Sequence, residues 1–136
     1  MGTNLSTELF WLVATTTMTA LFWVPYILNR IIEQGGLPAF WDPDGITESK
    51  VPWAQRMMSA HKNATENLVL FAALVLVLHA ANISNDTTAL ACMVYFFARA
   101  AHYIIFTFKV PLLRIVTFLI GFFAQMVLVL TIFGVL

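Results

Sequence analysis

The segment Leu112–Leu136, LLRIVTFLIGFFAQMVLVLTIFGVL, decides the fold. It carries no charge after Arg114. A helix that crosses a bilayer needs about 20 mostly apolar residues, because the hydrocarbon core offers no water to unpaired backbone groups. This stretch meets that length, and the chain before it repeats the pattern. Lys109 and Pro111 mark the preceding turn, and a third helix is expected over 88–107, interrupted only by Arg99. Asn82 to Thr88 is a short polar turn. A second helix is expected over 52–81, opened by Pro52, whose missing N–H has no helical partner in the first turn anyway. To span, it must recruit the turn that holds Asn63 and Glu66. A first helix is expected over 8–29, where Pro25 kinks it or marks its exit. The intervening loop, 30–51, holds Gly35, Gly36, Pro38, Pro43 and Gly45, which argue against a long helix there. The expected architecture is all-α: a single integral membrane domain over 1–136, a four-helix bundle running up-down-up-down, with short connections making successive helices antiparallel.

Composition agrees. Of 136 residues, 60% are hydrophobic and 10% charged, with zero formal net charge, against about 25% charged in soluble domains. No basic face is available, so no nucleic-acid partner is expected. The single cysteine, Cys92, lies in an apolar stretch and reads as an inert buried thiol. The N-terminus lacks a basic region and carries Glu8 ahead of its apolar run, so it reads as a retained helix rather than a signal peptide. Trp11, Trp23, Trp41 and Trp53 read mostly as interface anchors. Lys and Arg residues set the orientation. Arg30, Lys50 and Arg56 flank the first loop, Lys109 and Arg114 flank the third, and the second loop and both termini have none. Loops one and three are therefore expected in the cytoplasm, with both termini on the opposite side.

Ionisable side chains inside a bilayer are costly, so each is a candidate for function. Arg99 lies about 16–17 Å from the non-cytoplasmic end of its helix and Glu66 about 22 Å from that of its own, at 1.5 Å per residue. They are expected to meet across antiparallel neighbours, and taken alone such a pair reads first as a structural ion pair. The cluster is larger. Arg56, Ser59, Asn63, Glu66 and Asn67 follow three- and four-residue spacing, which puts them on one helix face. Lys62 and Glu66 form an i,i+4 pair. Arg99 and His102 are three apart, and Arg114, Thr117, Gly121 and Gln125 line one face of the fourth helix. Three helices thus aim polar groups at the cytoplasmic half of the bundle, an arrangement suited to a small, polar, anionic ligand whose carboxylates Arg and Lys can take. Arg56, Lys62 and Arg114 also read as residues snorkelling to lipid phosphates, and Gly121 and Gln125 as helix-packing residues. His61, His79 and His102 do not compose a metal site, and no metal is expected.

Two segments carry a family resemblance. RMMSAHKNATENLVLF at Arg56–Phe71, and ARAAHYIIF at Ala98–Phe106 followed by PLLR at Pro111–Arg114, resemble the helix motifs of the MAPEG family, the membrane-associated proteins in eicosanoid and glutathione metabolism, in their bacterial-type form. The resemblance implies a left-handed four-helix bundle assembling as a homotrimer in a bacterial inner membrane. It also implies that glutathione is the cosubstrate, bound between subunits in the cytoplasmic half of the membrane, with a lipophilic second substrate entering from lipid. Carried over by position, Lys62, Asn63 and Glu66 bind glutathione, and Arg99 and His102 complete the pocket wall. Arg30 reaches a glutathione carboxylate, and Arg114 stabilises the thiolate. The chemistry is consistent, since a guanidinium beside a thiol lowers its pKa from about 8.5 and the thiolate is the nucleophile. The sequence departs from the pattern at Phe106 and Phe118, where tyrosines occur, and at Ile115, where a hydroxyl residue occurs in some members. Lys62 replaces an arginine and loses its bidentate fork. The expected function is a glutathione-dependent membrane transferase or peroxidase acting on lipophilic electrophiles or lipid hydroperoxides. The alternative is a non-catalytic structural or accessory subunit. A small transporter is disfavoured because neither the third nor the fourth helix is broken.

Overall fold

The first helix begins where Ser6 caps it, its hydroxyl accepting from the Leu9 N–H at 3.2 Å. The computed structural model describes residues 4–36, 38, 41–42, 44–45 and 49–136. Helix α1, Thr7–Leu21, carries Thr15, Thr16, Thr17 and Thr19. Each of these hydroxyls donates to the carbonyl four residues back at 2.7–2.8 Å, so none is left unpaired. Pro25 has no N–H to give to Leu21, and the helix breaks over Phe22–Trp23 before resuming as α2, Val24–Glu33. Proline marks a kink here rather than an exit, and the first span continues past the expected residue 29 to Glu33.

Helix α2 ends on Gly35 at φ +81°, a left-handed position that lets the Gly36 N–H reach back to Ile31 at 2.9 Å. The returning chain is pinned to the end of α2. The Glu33 carboxylate accepts from Asn29 at 2.9 Å, from the Ser49 hydroxyl at 2.6 Å and from the Lys50 N–H at 3.1 Å. Arg30 lies 3.4 Å from Glu33, the one ion pair among the described residues. The expected turn residue Pro43 lies outside the described residues.

Helix α3, Pro52–Ala80, opens on Pro52 as expected. Helix α4, Asp86–Thr107, opens with a capping box in which Asn85 and Thr88 each bond the other's backbone N–H at 3.0 Å. Helix α5, Pro111–Ile132, again opens on a proline. The turns before α4 and α5 close through left-handed Asn82 and Lys109. With the first two helices counted as one span, four helical segments are long and apolar enough to cross a membrane, and the described residues contain no strand. The chain is a multi-pass, all-helical integral membrane protein.

Helix α4 packs against α1, α3 and α5, so its side chains form the centre. Phe71, Val75, Leu78, Cys92, Tyr95 and Leu128 make one core, with Phe71 stacked on Tyr95 at 3.9 Å. Phe22, Ala60, Ala64 and Tyr103 make a second around the break. Small residues at this contact allow backbones to approach closely, which membrane helices rely on because lipid supplies no hydrophobic drive between them. Gly121 does the same on α5: a Cβ there would meet the Arg99 Cδ at 3.5 Å. Cys92 is fully buried.

Candidate functional site

The cluster of polar groups expected on one surface divides into three parts. The first is a cleft of about 950 Å³ between α2 and α3, lined by Tyr26, Gln55, Met58, Ser59, His61, Lys62, Thr65, Glu66 and Val69. Small-molecule sites occupy about 300–1,000 Å³, so the cleft is of ligand size. Lys62 and Glu66 are both exposed to it, and although four residues apart they form no ion pair with each other. A cation and a carboxylate one turn apart, neither in an ion pair among the described residues, match the two ends of a zwitterionic ligand.

The second part is a buried seam. Arg99 is 2% exposed, and its Nη2 donates to Asn63 Oδ1 at 2.5 Å. The expected Glu66–Arg99 pair is not formed within the chain. Asn63 is half-buried beside Arg99, whereas Glu66 points outward, so the three-residue step between them turns the carboxylate away from α4. Next to Arg99 lie His102, at 3% exposure, and Gln125, which donates to the Asn67 carbonyl at 3.2 Å. Arg99 Nε, His102 Nδ1 and the Tyr95 hydroxyl are buried without a hydrogen-bond partner among the described residues.

The third part is a smaller cleft of about 160 Å³ lined by Arg56, Phe106, Lys109, Val110, Pro111 and Arg114. The Arg114 guanidinium carbon stands 4.7 Å from the centroid of the Phe106 ring. Arg56 donates from Nε to the Thr107 carbonyl at 2.9 Å, so it caps the C-terminus of α4 instead of simply snorkelling to lipid. Arg114 thus lines a different cleft from Lys62 and Glu66, while Arg30 sits at the end of α2 against Glu33.

Two groups were not anticipated from sequence. Glu8, 2% exposed, accepts from Ser84 at 3.0 Å and from Thr88, tying α1 to the start of α4 at the opposite end of the bundle. The short spacing from Glu8 to its helix start gives no hint of that partner, which is 80 residues away. Tyr26 and His61 meet in the large cleft at 2.6 Å. Both residues fall inside the helices expected over 8–29 and 52–81, but spacing within one helix gives no sign of a partner 35 residues away on another. Among the described residues no group of three or more His, Cys, Asp or Glu side chains could hold a metal ion.

A model of the MAPEG family matches residues 9–134, nearly the whole chain. The chain belongs to the MAPEG family. No curated protein and no solved structure matches it. MAPEG members commonly use glutathione, and the family holds both glutathione transferases or peroxidases and non-catalytic proteins. The motifs that carried the resemblance all lie inside the matched span, including Glu66, Arg99 and Arg114.

Proposed function

We propose that this MAPEG protein is a glutathione-dependent membrane transferase or peroxidase, with glutathione entering from the cytoplasmic side and a lipophilic electrophile or hydroperoxide arriving through the lipid. The observation that carries the reading is the cleft in which Lys62 and Glu66 stand exposed, with no ion pair to either among the described residues. Lys62 takes a glutathione carboxylate and Glu66 the ammonium group. Asn63 and Arg99, already bonded to one another, brace the helix behind them, and Arg30 and His102 complete the binding groups. Arg114 stabilises the thiolate. Because Arg114 lines the other cleft of the same chain, the working site joins the Lys62–Glu66 cleft of one copy to Arg114 of a neighbour, as a homotrimer allows. The membrane is a bacterial inner membrane with both termini on its outer side.

Glutathione titrated calorimetrically into the detergent-purified protein tests this. Saturable binding is expected, weakened about tenfold or more in Glu66→Gln, since a hydrogen bond to a charged group is worth about 1.5–3 kcal/mol. Thiolate absorbance is expected to vanish in Arg114→Ala. No binding at millimolar glutathione would overturn the proposal.

One observation favours a second reading, that of a non-catalytic subunit. Arg114 lies over the Phe106 ring, a position where family enzymes carry a tyrosine, so the guanidinium has an aromatic face in place of a hydroxyl beside it. A protein of that kind binds no glutathione and copurifies with a fixed partner.

A further inference from the structure

Tyr26 and His61 are 35 residues apart in sequence, yet the phenol oxygen lies 2.6 Å from the imidazole Nδ1. The contact is held from behind. Phe22 stands edge-on to His61 with centroids 6.0 Å apart, and its other face is stacked on Tyr103 at 3.7 Å. The break over Phe22–Trp23 sets the angle of α2 that carries Tyr26 across to α3. Both residues line the cleft that holds Lys62 and Glu66. When the imidazole hydrogen is on Nδ1, His61 donates to the phenol oxygen, and the phenolic hydrogen is free to face the cleft.

We propose that the Tyr26–His61 pair donates the proton to the departing oxygen when a hydroperoxide is reduced in this cleft. The proposal rests on the glutathione reading above and assigns it one reaction and a proton source. The glutathione thiolate attacks the outer oxygen of ROOH. The S–O bond forms as the O–O bond breaks, and the O–O electron pair leaves on RO⁻. Tyr26 gives its proton to RO⁻, yielding the alcohol, and His61 holds the phenolate through Nδ1–H. A second glutathione returns a proton to Tyr26 as it ionises. Its sulfur then displaces hydroxide from the glutathione sulfenic acid to form the disulfide, and that hydroxide combines with the proton released by the first thiol to give water. Conjugation to a chloronitroaromatic makes no such demand, because chloride leaves as a stable anion.

The test compares Tyr26→Phe with the unaltered protein on cumene hydroperoxide and on chlorodinitrobenzene, with glutathione affinity measured alongside. General acid catalysis is worth about a hundredfold or more, so hydroperoxide turnover is expected to fall by about that factor, and at least about tenfold further than conjugation. His61→Asn keeps an N–H beside the phenol and is expected to retain more hydroperoxide turnover than His61→Leu. Equal losses on both substrates would show that the pair only supports the fold, and would overturn the proposal. An unaltered protein that binds glutathione but reduces no hydroperoxide would overturn it while leaving the glutathione reading standing. Failure to bind glutathione would overturn both.

Discussion

Arg99 shows what a single residue requires when it lies in the apolar middle of a helix. A buried charge must be hydrogen-bonded or it costs several kcal/mol, and here Asn63 supplies the partner at 2.5 Å. Asn63→Leu leaves that guanidinium without its acceptor. A loss of about 1.5–3 kcal/mol of stability is expected, read as a lower midpoint of thermal unfolding in detergent. Unchanged stability with lost glutathione binding would instead place Asn63 at the ligand and not behind it. The need for a partner to Arg99 was legible in the sequence, and its identity was not. Asn63 and Glu66 sit three residues apart on one helix, and spacing alone cannot say which of them turns toward α4.

At the scale of the element, the first span is governed by the break at Pro25. Its missing N–H interrupts the hydrogen-bond ladder, and the carbonyl of Phe22 is taken up by the Tyr103 hydroxyl at 2.7 Å. That bond joins the break to α4, while the stacked rings of the same two residues fill the space around it. Tyr103→Phe keeps the ring and removes the donor, leaving a buried carbonyl unpaired. A destabilisation of about 1–3 kcal/mol is expected, together with faster hydrogen exchange of the α2 amides. Loss of stability without faster exchange in α2 would show that the bond matters to the core alone. Proline announced an irregularity in the sequence. It did not announce that the chain carries on as a helix, nor that the Phe22 carbonyl at the break is met by Tyr103, 81 residues later.

Across the whole molecule, the residues of the proposed site are shared between two clefts. Lys62 and Glu66 line one, Arg114 the other, and the buried Asn63–Arg99 seam belongs to neither. A site assembled between copies has a clear genetic signature. Glu66→Gln and Arg114→Ala chains are each expected to be defective alone, whereas mixed assemblies from coexpression would contain some junctions at which both intact residues meet. Partial recovery of glutathione-dependent activity is expected in the mixture. No recovery, with mixed assemblies verified by affinity tags, would place both residues in one chain's site.

The sequence by itself determined the class of the protein. Four long apolar stretches in 136 residues leave the backbone no option in lipid other than helices that satisfy their own hydrogen bonds. It also determined the family, through motifs at Arg56–Phe71 and Ala98–Arg114 that the family match spans. The tertiary structure decided which polar groups meet. The pairing of Arg99 with Asn63, of Tyr26 with His61 and of Glu8 with Thr88 joins residues 36, 35 and 80 positions apart. Helical periodicity fixes only which residues share a face of one helix. The rotation of each helix against its neighbours, set by small residues such as Ala60, Ala64 and Gly121 and by the break at Pro25, determines which faces come together.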